Sequence, residues 1–498
     1  MARTLTLILG LLSVGFAGLL PAKPLSADPT SVQQQIEKLI ASFRLDAAEA
    51  KLPELSHSGY QAYYQGNIQV YRHMGRQDVA SFRAFQREFS GWLKSVQSLP
   101  ENNSEKLVMM GELHCKRALL EFLHHNYLTA AHHARTGRQL INENAKRFPN
   151  NHTQLKMLGL FNVVLGAVPR RYQWLINILG YSGDLNTGID QLKLSAEKGK
   201  LLAMEAEIIL YHVDKNILNR SDLAIGRLRQ VRAAHGPNLI LDYFLATGLM
   251  SIKQNEPALK VLYRRELYAG KDVYFIPFWD YQLGKAYYYR GDMTRARRYL
   301  ARFVRDYKGS MFRTDAHFRL GMALTLNGHY ELGKPFFQAV AEGDGAQFDE
   351  DAYARHMSAM FAKQAPSPSL TKLFQARNYF DGGYFDKALA TLDQMAYDDL
   401  SKNDQAEWHY RYGRILHSQG ELGSAIGHYQ ECLALPVSQT NLYLHAYASF
   451  FQADIARAKN DLVRAKKFYQ QALGYDGYFY QDGLENRCRA ALARLKRS

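Results

Sequence analysis

The sequence predicts an all-α fold in which helical hairpins stack side by side into a solenoid. Three features point there. Segments of about 12–15 residues carry apolar side chains at spacings of three and four, the period of a helix with one buried face. Short Gly, Asn or Asp turns separate these segments, with little of the strict alternation that marks strands. The turn residues also recur, at Gly291, Gly328, Gly383, Gly420 and Asn460, and five residues after each comes Ala296, Gly333, Ala388, Ala425 or Ala465. A helix pair that cannot bury its apolar side alone must lean on the next pair, so such a recurrence implies one continuous array.

The clearest unit begins Trp279-Asp280-Tyr281-Gln282-Leu283-Gly284 and continues to Tyr287, Gly291, Ala296 and Leu300. A second starts at Leu320-Gly321, turns at Gly328-His329-Tyr330 and reaches Phe337, with Gly333 where Ala is usual. A third runs Tyr379, Gly383, Phe385, Ala388, Leu392, and a fourth runs Trp408, Tyr412-Gly413, Leu416, Gly420, Ala425, Tyr429, Cys432 and Pro436. A fifth keeps Ala465 and Tyr469 but turns at Asn460. These residues closely resemble the tetratricopeptide (TPR) pattern W-x2-L-G-x2-Y…A-x3-F, with one extra residue between Trp279 and Leu283. The turn intervals of 37, 55, 37 and 40 exceed the usual unit of about 34. Gly284, Gly321 and Gly413 let the first helix of a hairpin approach its partner, and the alanines do the same from the second. Gly at the turn permits the positive φ that ends a helix.

Upstream units are weaker. Asn126-Tyr127 and Asn255-Glu256-Pro257 read as hairpin turns. Compositional seams at Phe148-Pro149-Asn150-Asn151 and Ala365-Pro366-Ser367-Pro368-Ser369 mark divisions within one array. The resulting organisation is 1–27, a targeting segment; 28–148, N-terminal hairpins; 149–270, degenerate repeats; 271–364, repeats; and 365–498, further repeats with a basic terminal helix. The stretch from Val168-Pro169-Arg170-Arg171 through Leu179-Gly180-Tyr181-Ser182-Gly183-Asp184 to Gly188-Ile189-Asp190-Gln191-Leu192, with repeats after it, resembles the eukaryotic TPR family that includes the fungal inclusion body clearance protein. That resemblance implies action by association, with links to lipid droplets and lipid handling, and brings no catalytic residues.

Arg3, the apolar run Leu5–Leu20 and Leu25-Ser26-Ala27 compose an export signal with cleavage near Asp28; left uncleaved, the run would serve as an anchor. The expected location is therefore periplasmic or extracellular, or peripheral to a membrane. The whole chain of 498 residues carries +15, and loss of residues 1–27 leaves +13. An acidic partner or an anionic surface suits that charge, while export and the lack of a concentrated basic arm argue against nucleic acid. Cys115, Cys432 and Cys488 show no zinc spacing, and Cys432 falls at a helical core position.

Enzyme motifs are incomplete. Gly183–Gly188 has the spacing of a phosphate loop but Ile189-Asp190 replaces its Lys-Ser/Thr, so it reads as a hairpin turn. Ser195-Ala196-Glu197-Lys198 matches Ser-x-x-Lys without the companion Lys-Thr-Gly and reads as a solvated helix. His114, His124, His125, His132 and His133 cluster in sequence, but a turn at Asn126 interrupts the helix that would align them. No metal, cofactor or catalytic residue is assigned. The inner-helix positions counted from the turns are Tyr281, Lys285 and Tyr288, then Phe318 and Arg319, Arg377 and Phe380, and Tyr410, Arg411, Arg414 and His417. This aromatic and basic set suits a peptide carboxylate, an acidic segment of a protein partner, or an anionic glycan or lipid head group. The expected function is a non-catalytic scaffold, with a lipid carrier or peripheral membrane protein as the alternative.

Overall fold

The computed structural model describes residues 31–167, 183–218, 220–236, 238–268, 276–343 and 349–495. Among them helix is the regular element throughout, and no β-strand is formed. The first helices are α1 (Val32–Ala41), α2 (Leu45–Ala50), α3 (Ser58–Arg76), α4 (Val79–Gln97), α5 (Lys106–Leu123), α6 (Tyr127–Arg147), α7 (Leu155–Gly166) and α8 (Leu185–Lys198). There follow α9 (Met204–His212), α10 (Ser221–His235), α11 (Leu239–Ser251), α12 (Asn255–Leu262), α13 (Arg265–Tyr268), α14 (Ile276–Arg290), α15 (Met293–Asp306), α16 (Arg313–Leu326) and α17 (Tyr330–Glu342). The last are α18 (Asp349–Phe361), α19 (Pro368–Gly382), α20 (Phe385–Asp393), α21 (Lys402–Gln419), α22 (Leu422–Ala434), α23 (Leu442–Ala458), α24 (Leu462–Leu473) and α25 (Gln481–Leu495). Two compact units result. The first holds residues up to Ile252 with Glu256–Gln282 and Arg305–Ser310; the second holds Lys253–Asn255, Leu283–Val304 and the remainder from Met311.

Sequential helices pack as antiparallel hairpins, with α3 on α4, α5 on α6, α7 on α8, α16 on α17, α19 on α20, α21 on α22 and α23 on α24. This is the all-α helical-hairpin repeat read from the sequence. Each turn residue named there is left-handed: Gly291 at φ +85°, Gly328 at +83°, Gly383 at +80°, Gly420 at +88° and Asn460 at +61°. The upstream turns obey the same geometry with bulkier residues, His125 at +62° and Lys253 at +61°. Gly333 also does what its register required. A Cβ there would lie 2.6 Å from the Gly321 carbonyl oxygen, so the α16–α17 crossing is closed down to backbone contact.

Two readings of the middle segment are corrected. Asp184 is the N-cap of α8 and accepts from Thr187 N at 2.7 Å, so Gly188 lies inside the helix rather than in a turn. A Cβ at Gly188 would stand 2.8 Å from both Gly159 O and Val163 N, which makes it the crossing point of α7 and α8. Ser195 lies on the buried face of α8 and is not solvated. The two nearest groups facing Gly188 are backbone atoms, with Val163 Cγ2 at 2.9 Å beside them, so little there can yield to a new methyl. Gly188→Ala is expected to cost the first unit about 1–3 kcal/mol, read as a lower urea midpoint from the fluorescence of Trp92, whose buried ring packs 5.3 Å from Phe85. An unchanged midpoint would show that α7 and α8 have room to part.

The first unit also buries charge. Lys116, Lys156, Glu112 and Glu205 are each within 1% of full burial. Glu205 bridges both lysines, at 2.7 Å to Lys116 Nζ and 2.7 Å to Lys156 Nζ, and Lys156 reaches Glu112 at 3.0 Å. Tyr63 OH donates to Glu112 at 2.6 Å, Tyr71 OH donates to Glu205, and Lys116 donates to Asn67 Oδ1. Burial works to raise the Glu205 carboxyl, but the two ammonium groups outweigh it and hold its pKa below the ordinary value. Burial pulls both lysines down; two carboxylates nevertheless raise Lys156 above the usual lysine range, whereas burial prevails at Lys116, which has one close carboxylate and Lys156 nearby. Four helices, α3, α5, α7 and α9, are tied together by this set.

Candidate functional site: a basic and aromatic cavity in the second unit

Within the second unit a cavity of about 210 Å³ opens among the helices that carry the repeats. Its residues recur at helical spacing: Lys285, Tyr288 and Tyr289 on α14; Asp315, Phe318 and Arg319 on α16; Phe374, Arg377, Asn378 and Asp381 on α19. Side chains three and four apart share a face, so each helix turns one stripe toward the same space. Tyr353 and Ala354 of α18 and Tyr480, just before α25, complete the lining.

The cations lie along aromatic rings. The Arg319 guanidinium is 5.2 Å from the Tyr288 centroid and 5.6 Å from that of Tyr289, while Lys285 Nζ is 5.8 Å from Tyr289. Arg377 lies 5.0 Å from Tyr353. Their neutralisation is uneven. Arg319 Nε donates to Asp315 at 2.6 Å, but Arg377 Nε stands 3.8 Å from Asp381, beyond hydrogen-bond length. The Asn378 amide nitrogen is buried without an acceptor in bonding geometry. Burial pushes the Tyr288 hydroxyl up to about 12, so it is a neutral donor here.

Of the residues selected from sequence, the cavity brings together Lys285, Tyr288, Arg319 and Arg377, with Phe318 beside them. It does not include Tyr281, Tyr410, Arg411 or Arg414. Tyr281 is 3% exposed in the first unit. Arg411 is buried against Glu407 at 2.7 Å. Arg414 donates to Tyr410 OH at 2.9 Å and lies over Phe380 and Phe451, at 4.8 and 4.1 Å. Lys253 joins that neighbouring group, its Nζ 4.4 Å from the Phe380 centroid; burial and then Arg414 lower its pKa to about 8. Counting from turn glycines missed Tyr353, because α18 has no repeat signature. Its signal was the 55-residue interval between Gly328 and Gly383, long enough to hold an additional helix.

The histidines form pairs between helices. His114 Nδ1 faces His133 Nδ1 at 2.8 Å, His73 Nε2 faces His124 Nε2 at 3.1 Å, and in the second unit His409 Nδ1 faces His428 Nδ1 at 3.0 Å. Among the described residues no three His, Cys, Asp or Glu side chains are placed to hold a metal ion. The three cysteines are free and buried. Among the described residues no helix is long and apolar enough to cross a membrane; the segment 1–27 lies outside them.

Residues 281–347 and 375–436 match the family model described as Tetratricopeptide repeat. The comparison with curated proteins gave no match. Similar solved structures include a Rap protein complexed with competence and sporulation factor, at 13% identity and TM-score 0.31, covering 81% of this chain and 96% of that one. The human IFIT1 dimer with PPP-AAAA shows 14% identity and TM-score 0.29 over 86% and 94% of the two chains. The APC/C hetero-tetramer Cut9–Hcn1 shows 10% identity and TM-score 0.29 over 89% and 87%. The narrower resemblance built on Gly180–Leu192 is not shown by these matches, and residues 180–182 lie outside the described residues. The repeat match falls on hairpins whose left-handed turns are described above, at Gly291, Gly328, Gly383 and Gly420, and over those two stretches the all-α chain is similar to tetratricopeptide repeats.

Proposed function

We propose that this protein is a non-catalytic scaffold that holds an acidic segment of a partner protein in the cavity of the second unit. The observation that supports it is the convergence of Lys285, Arg319 and Arg377 on one space, where among the described lining residues the acidic ones are Asp315 and Asp381. Arginine offers a planar fork to a carboxylate, and rings alongside exclude water from the pair. Asn378 supplies a further unoccupied donor. The polar lining and modest volume give no support to a lipid carrier. The reading places this binding outside the cytoplasm, on the strength of Arg3, Leu5–Leu20 and Leu25-Ser26-Ala27; N-terminal sequencing of protein made in its own host should begin near Asp28.

The binding test uses a fluorescently labelled oligo-glutamate peptide and anisotropy. Arg377→Glu and Lys285→Glu are each expected to weaken binding at least tenfold, about 1.4 kcal/mol. A charge reversal at Arg297, exposed on α15 and not part of the cavity, should change it little. Equal affinity in all three variants would defeat the proposal.

A further inference from the structure

Among the described residues, one wall of the cavity is a loop rather than a helix. The loop between α24 and α25 reads Gly474-Tyr475-Asp476-Gly477-Tyr478-Phe479-Tyr480. It lays aromatic rings against the site: Phe479 is 5.8 Å from Tyr353 and 5.2 Å from His356, and Tyr480 is 6.0 Å from Tyr353.

The loop holds this position at a cost. Tyr480 sits in the left-handed region at φ +66°, a conformation that bulky side chains rarely adopt. The Tyr478 hydroxyl is buried with no hydrogen-bond partner. Tyr478 is anchored in the core and Tyr447 OH donates to Tyr480 O at 3.5 Å, but the hydrogen bonds of Asp476 and Gly477 are exposed to solvent: Gln439 Nε2 donates to Asp476 O at 2.9 Å, Gln481 Nε2 to Asp476 Oδ1 at 2.7 Å, and Gly477 N to Gln481 Oε1 at 2.9 Å. Water replaces bonds of that kind at little loss. The Asp476 carboxylate is thus bound to Gln481 and is not paired with Arg377. Through Tyr480 the loop adds a ring to the cavity lining, and it brings no carboxylate to the cations there.

We infer that this loop is a built-in competitor, displaced by a partner segment that carries an acidic residue close to aromatic ones. Such a segment makes the ring contacts of Phe479 and Tyr480 and also supplies the carboxylate that the loop withholds. The inference rests on the proposed use of the cavity and adds to it both the sequence character of the partner and a control on access. A tethered competitor acts at millimolar effective concentration, so a free segment must either bind well or find the loop already loosened.

The probe is a labelled synthetic peptide with the sequence of residues 474–482, titrated into the full chain. Phe479→Ala, which removes the ring from Tyr353 and His356, is expected to bind it at least tenfold more tightly than the unaltered protein. Tyr478→Phe keeps the ring and removes the unpartnered hydroxyl, so it should settle the loop and weaken binding severalfold. Arg377→Glu added to Phe479→Ala should abolish binding. Circular dichroism checks that each variant keeps its helix content, and opposite shifts from two variants cannot both come from damage to the fold. If Phe479→Ala binds the peptide no better than the unaltered protein, the loop is not a competitor. Should oligo-glutamate still bind in an Arg377-dependent way, that failure leaves the cavity's proposed use standing; loss of both overturns both.

Discussion

Glu205→Gln is expected to lower the stability of the first unit by about 3–5 kcal/mol, enough to leave much of it unfolded under mild denaturant. The reason lies in what remains after the change. Glu205 is the carboxylate that Lys116 and Lys156 share, and all three side chains are cut off from water. With the amide in place the two ammonium groups face Glu112 alone, and an uncompensated buried charge costs more than the ion pair gained. Tyr71 also loses its charged acceptor. Urea titration followed at Trp92 measures the effect, while Trp408 fluorescence gives an internal reference from the second unit. A combined Lys116→Met, Glu205→Leu replacement should be less harmful than Glu205→Gln, because it removes charge in pairs. A loss below about 1 kcal/mol for Glu205→Gln would mean that water reaches the quartet.

Acid should weaken the protein between pH 6.5 and pH 4. Burial lowers His73, His114, His133 and His409 to about 4 each; a neighbouring histidine adds to it at His73 and His409, and Arg117 at His114 and His133. Asp78 opposes the shift at His73, Glu121 at His133 and Glu431 at His409. Above pH 6.5 these rings are neutral folded or unfolded and contribute nothing. Below it the unfolded chain binds protons that the native chain refuses, so stability falls by up to about 1.4 kcal/mol per pH unit per histidine until the native rings titrate near 4. Solvent reduces this for the partly exposed His409. Glu37 acts in the other direction. Its buried carboxyl is raised to about 7, so acid relieves a cost between pH 7 and 4.5, but one such group does not offset three histidines in the same unit. The geometry gives the same sign, since two facing ring nitrogens at 2.8–3.1 Å share one proton and separate if both are charged. Urea midpoints at pH 7.5, 6.0 and 5.0 measure the slope, and His114→Asn should flatten it. A profile level from 7.5 to 5.0 would refute the assignment.

Much of the fold was legible because its rules are local. A turn that needs positive φ selects Gly or Asn, and a close helix crossing selects Gly or Ala five residues on, so Gly291, Gly328, Gly383, Gly420 and Asn460 could be found by spacing. The same rule with His125 or Lys253 at the turn leaves little trace, since bulky residues seldom take that conformation. Gly159 and Gly188 were visible as glycines, but a phosphate-loop spacing drew attention from their partnership across α7 and α8. The buried quartet was illegible for a different reason. Lys116, Lys156 and Glu205 sit in three helices, and no spacing in one chain reveals that distant charges meet. Five of the thirteen lining residues followed from counting along inner helices; Tyr353 and Tyr480 did not, because α18 and the loop before α25 stand outside the repeat.

The stripes that line the cavity also bear on what changes this chain tolerates. One residue inserted in α19 ahead of Phe374 would rotate everything after it by about 100° and carry Arg377 and Asn378 off their common face. The same insertion between α19 and α20 would leave every lining position in phase. Length variation should therefore accumulate in the connectors while each helix keeps its residue count, as the unequal turn intervals of 37, 55, 37 and 40 suggest of this chain's own history.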